Sequence, residues 1–88
     1  SILKYYQTLF DLYETESRKL RKQFKETKFG LDPDKVFQEK YNAALKNLNE
    51  RVDEYIEETE TGNNAEEVEK WSKFVQLELK ELEIFKKQ

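Results

Sequence analysis

An 88-residue chain of 10.7 kDa can build one hydrophobic core and one domain. Charged residues are 40% of the chain and hydrophobic ones 36%, near the composition of disorder, yet 14% are aromatic, which disordered chains lack. There is no cysteine and no histidine, so disulfides, thiolate chemistry, zinc–thiolate sites and histidine general bases are excluded.

The first element is predicted over about residues 2–28. Ile2, Tyr6, Leu9, Tyr13, Leu20 and Phe24 recur at steps of three, four and seven, the signature of an amphipathic helix. Leu3 and Phe10 widen that stripe on one flank, and Tyr5 and Leu12 on the other. The stretch Phe29-Gly30-Leu31-Asp32-Pro33-Asp34 then carries stop and start signals. Glycine ends a helix in the left-handed region, Asp32 suits an N-cap, and Pro33 suits the first helical position. Leu31 and Val36 hold the positions of a hydrophobic staple.

A second helix is predicted over about 33–60, with Phe37, Tyr41, Ala44, Leu48, Val52 and Tyr55 as its stripe and Leu45 and Ile56 beside it. Its acidic end, Glu57-Glu58-Thr59-Glu60, opposes the helix dipole and is expected to fray. Gly62 stops it, and Asn64 caps a third helix over about 65–87, with Glu67 as capping-box partner. That helix has the stripe Val68, Trp71, Val75, Leu79 and Leu82, with Trp71 expected in the central layer. Short connections force consecutive helices antiparallel. The expected fold is one all-α domain over 1–88, an up-down-up three-helix bundle with coiled-coil-like packing, whose heptads break at Glu16 and Glu78.

Charge is segregated along the chain. From Arg18 to Lys28 there are six Lys and Arg against Glu26 alone, and from Glu50 to Glu69 nine carboxylates against Arg51 alone. Folded up-down-up, these stretches give a basic and an acidic pole. Arg18, Arg21, Lys22 and Lys25 are the candidates for binding an anion; a pI near 5.1 speaks against nucleic acid, and a membrane partner is not expected. The longest apolar run is Ala43-Ala44-Leu45, so neither a transmembrane helix nor a signal-peptide core is expected. The expected protein is soluble, and cytoplasmic if natural.

Two isolated glycines make no phosphate loop, and the carboxylates lack the Asp/Asn/Gly pattern of a calcium loop. No catalytic residue, metal, cofactor or small-molecule substrate is expected. Phe74, Leu77 and Ile84 sit off the main stripe of the third helix and are the candidate surface for a protein partner or for self-association. Met, His and Cys are all missing, and the loops carry near-complete capping chemistry, which points to an engineered or de novo scaffold made to fold or to present a surface. The alternative is a natural helical interaction module using the outer face of the third helix.

Overall fold

In the computed structural model, which describes residues 1–87, the chain is an all-α three-helix bundle. Helix α1 spans Ile2–Glu26, α2 Pro33–Glu58 and α3 Ala65–Glu81, followed by a short 3-10 turn at Glu83–Phe85. The caps are the residues that local chemistry selects. Ser1, Asp32 and Asn64 each accept a hydrogen bond from the backbone N–H three residues on. Pro33 opens α2. Leu31, however, is fully exposed, so the expected staple on Val36 is not made.

The end of α2 is wound tight where fraying was expected. The Thr61 and Asn64 N–H groups donate to the Ile56 and Thr59 carbonyls at 2.9 Å each, and Thr59 is fully buried. Glu60, Thr61 and Gly62 all adopt positive φ, at 52°, 57° and 91°. Gly62 lies against the Tyr5 ring, and a Cβ there would meet the Tyr5 Cγ at 2.8 Å. The left-handed Thr61 is unusual for a β-branched residue, and the surrounding bonds hold it.

Helix α1 is the middle member. It packs on both neighbours, antiparallel to α2 and parallel to α3. Gln76 donates to Asp11, and farther along Arg18 donates to the Leu79 carbonyl and Arg21 to the Phe85 carbonyl, each at 2.6 Å. The third helix therefore stops at the level of Arg18 to Arg21. Arg18 takes a carbonyl of its last turn and Arg21 one of the 3-10 turn that follows, where the expected helical run to residue 87 ends instead.

The core is Tyr5, Leu12, Tyr55, Val68 and Val75, with Leu9, Trp71 and Leu79 packed against it. Tyr55 is its centre: the hydroxyl donates to the Tyr5 carbonyl at 2.7 Å and the ring stacks on Tyr5 at 5.2 Å. Trp71 lies at the rim, half-buried, edge-on to Tyr55 and donating its Nε1–H to Glu58 at 3.0 Å. The expected central place of Trp71 thus belongs to Tyr55. On α1 the buried arc is Tyr5, Thr8, Leu12, Thr15 and Arg18, about 140° round from the expected stripe of Ile2, Tyr6 and Tyr13. Only that arc lies between both neighbours. Thr15 is accepted there because its hydroxyl donates to the Asp11 carbonyl of its own helix at 2.8 Å.

The molecule measures 49 × 24 × 16 Å and exposes 6597 Å², against about 5,500 Å² for a compact monomer of this mass. Twelve large hydrophobic residues are exposed among the described residues, seven of them (Ile2, Leu3, Tyr6, Phe10, Tyr13, Tyr41 and Leu45) along α1 and the adjoining face of α2.

Candidate interaction surface

The apolar stripe expected to form the α1 core is instead open to solvent. Ile2, Tyr6, Phe10 and Tyr13 are exposed, Phe10 by 65%. Helix α3 packs on the opposite flank of α1, through Lys4, Asp11 and Arg18. The same stripe continues through Ser17, Leu20 and Phe24 and borders α2. There Ser17, Leu20, Tyr41, Ala44, Leu45 and Leu48 line a shallow notch of about 160 Å³. Phe37, Tyr41 and Leu45 of α2 are each nearly half exposed. Phe24 stacks on Phe37 at 4.8 Å, and Phe37 on Tyr41 at 6.3 Å.

The side of the α1–α2 hairpin that faces away from α3 is therefore one continuous apolar strip. Five aromatics of roughly 150–250 Å² each, about half in water, leave on the order of 500 Å² uncovered, the size of the largest patch on a typical monomer, before Ile2, Leu3 and Leu45 are counted. Its spacing carries more information than its area. Positions 6, 10, 13, 17, 20 and 24 alternate steps of four and three without a break. Those are the steps of a heptad a/d pattern, with the polar Ser17 in its middle.

The surface expected on α3 lies elsewhere. Phe74 and Leu77 are exposed by about 60% each on the outer side of α3, and Ile84 by 81% in the 3-10 turn. Between α2 and α3 an open cleft of about 420 Å³ is lined by Arg51, Glu54, Glu58, Glu67, Lys70, Trp71 and Phe74. The Arg51 guanidinium lies in it, 5.9 Å from both the Trp71 and the Phe74 ring centroids. A hydrogen bond and repulsion from the neighbouring Glu58 push the Glu54 carboxyl up.

The two residues that break the heptads meet in space. Glu16 of α1 and Glu78 of α3 share Lys19 of α1 and Arg51 of α2. Burial pushes the Glu78 carboxyl up, but hydrogen bonds from Arg51 and Lys19 outweigh it and hold the group below the usual carboxylate range. The buried Glu16 Oε2 lies 3.0 Å from Lys19 Nζ without hydrogen-bond geometry, so that pairing is ionic only. This cluster ties three helices together from within.

Of the four candidate anion-binding residues, two are engaged inside the fold. Arg18 is buried, donates to Glu14 at 2.7 Å and to the Leu79 carbonyl, and lies 3.8 Å from Glu83. Arg21 faces the Phe85 carbonyl and Glu14. The hydrogen bond from Arg18 holds the Glu14 carboxyl below its ordinary value against the opposing effect of burial, with Arg21 adding to it. Lys22 and Lys25 stay in solvent. Among the described residues no group of three or more acidic side chains is placed to hold a metal ion, and no helix is long and apolar enough to cross a membrane.

In the sequence Leu3 and Phe10 form a flank too broad for the bundle to bury, able to border a partner groove, whereas Tyr6, Tyr13 and Tyr41 have the spacing of core and yet lie in the open α1–α2 strip. The signal that identifies it is the unbroken seam from Tyr6 to Phe24 beside a second run of buriable positions, Tyr5, Thr8, Leu12 and Thr15, on the same helix. Comparison with family models, curated proteins and solved structures finds no match for the chain.

Proposed function

We propose that this protein works by contact and not by catalysis: it is a helical bundle that presents an apolar, heptad-spaced seam to another helix. The observation that carries this reading is the strip of Tyr6, Phe10, Tyr13, Tyr41 and Leu45, left in water beside a complete core. A scaffold made only to fold would have polar groups there. The strip thus favours surface presentation over folding alone, for an engineered chain and a natural module alike, and its spacing favours coiled-coil-like engagement. A second reading places the contact on the outer face of α3, supported by the exposure of Phe74, Leu77 and Ile84.

The test is titration of isotope-labelled protein with a synthetic amphipathic helix bearing leucine at heptad a and d positions. Amide shifts confined to residues 6–24 and 37–52 are expected. Shifts confined to Phe74 and Leu77 would move the function to α3. No shift with about 1 mM peptide, in protein that sediments as a monomer, would overturn the contact reading.

A further inference from the structure

We infer that the α1–α2 strip is covered by a second copy of this chain, laid antiparallel across it, so that two hairpins form a four-helix layer with each α3 on the outside. The inference rests on the contact reading above and names its partner. Three observations carry it.

The first is area. The chain exposes roughly 1,000 Å² more than a compact monomer of its mass, and a standard interface takes about 800 Å² from each partner. The surplus is therefore of the size that one such contact removes.

The second is charge. Residues 18–40, at the end of the hairpin that joins α1 to α2, carry eight Lys and Arg against four Asp and Glu, with Arg18, Lys19 and Arg21 already paired inside the fold and Lys22, Lys25, Lys28 and Lys35 left in solvent. Residues 50–69, at the other end, carry nine Asp and Glu against Arg51. Side by side in parallel, two copies would set like poles together. Antiparallel, each basic pole lies on an acidic one, which selects orientation as much as it adds affinity. The exposed Lys35 then falls near the exposed Asp53 and Glu57 of the second copy.

The third is symmetry. A two-fold axis across the strip places α1 on α1 and α2 on α2, with the same patch used twice. The exposed Ser17 lies near mid-height of the hairpin, at the notch lined by Tyr41 and Leu45, so the two copies of Ser17 meet at the axis. The notch is a hole open to a knob from the facing helix.

The test starts with sedimentation equilibrium of the full chain. Twice the monomer mass is expected at micromolar concentration, with dissociation increasing several-fold as salt rises. Phe10→Lys, at an exposed position, should give a folded monomer by circular dichroism. Lys35→Glu alone should weaken the dimer, and adding Asp53→Lys should restore it. Under mild oxidation Ser17→Cys should cross-link to itself and Ser1→Cys should not, whereas a parallel pair would link at Ser1.

A monomer at about 1 mM overturns the inference; if the leucine helix still binds 6–24, the contact reading survives it. A dimer that ignores Phe10→Lys but is lost in the folded double variant Leu77→Lys with Ile84→Lys also overturns it, in favour of α3. If Phe10→Lys proves unfolded, the charge swap and the two cross-links decide the matter.

Discussion

The two ends of this bundle are built from the same kind of residue and packed in different ways. At the acidic end three helices converge, and Tyr5, Leu12, Tyr55, Val68 and Val75 lose nearly all contact with water. Beyond Arg21 the third helix has ended, and Phe24, Phe29, Phe37 and Tyr41 stack between two helices only, with Phe37 and Tyr41 each nearly half exposed. Aromatic content is therefore no measure of core. Two helices can bring rings together, but a third is needed to exclude water from them.

The largest test of this contrast is a pair of truncations. Leu12→Ala should cost ~2–5 kcal/mol, because it opens a cavity where three helices meet. Phe37→Ala, losing only stacking and half-buried area, should cost about 1 kcal/mol. Urea unfolding of the two variants measures the difference. Equal costs would mean that the open end is as well packed as the closed one.

A smaller effect should appear in alkali. Burial pushes the Tyr55 phenol up to about 12, while in the unfolded chain it ionises near 10. A raised folded-state value stabilises fully below the unfolded value and is lost as pH climbs through the folded one. Stability should thus fall by roughly 2–3 kcal/mol between about pH 10 and 12. Tyr55→Phe should cost about 1 kcal/mol at neutral pH by removing the bond to the Tyr5 carbonyl, and should flatten that alkaline limb.

The smallest effect lies in acid, at the ion cluster midway between the ends. The Glu78 carboxyl is held down by Arg51 and Lys19 despite burial, so its contribution is present above the ordinary carboxylate range and is lost as pH falls through the lowered value. Glu78→Gln should cost about 1–2 kcal/mol at pH 7 and blunt the acid-induced loss of stability, read from melts across that range.

The elements and their caps were legible in the sequence because they depend on local chemistry: Asp32-Pro33, Asn64 and the two glycines act within a turn of themselves. The face that each helix buries depends on its neighbours, and there the reading was partial. Val68 and Val75 lie in the core as their stripe implies. On α1, Tyr6 and Tyr13 are the better apolar stripe by composition, yet Thr8, Thr15 and Arg18 are the buried residues. A hydroxyl satisfied by its own helix and a guanidinium satisfied by Glu14 and the Leu79 carbonyl behave as interior groups while reading as surface letters. The open strip is hidden in the same way, since Tyr6, Tyr13 and Tyr41 have the spacing of core residues and stand in water.

The two glycines, alike in φ, differ in what they encode. At Gly30, φ is 70° and nothing lies within 4 Å of the missing Cβ, so the position specifies a backbone angle that asparagine or aspartate can also meet. At Gly62 the angle is joined by the Tyr5 ring, which occupies the space that any side chain would need. The first position thus admits a small alphabet and the second, while Tyr5 stands beside it, a single letter. Fifty-seven positions away, the Tyr5 ring sets what position 62 may hold.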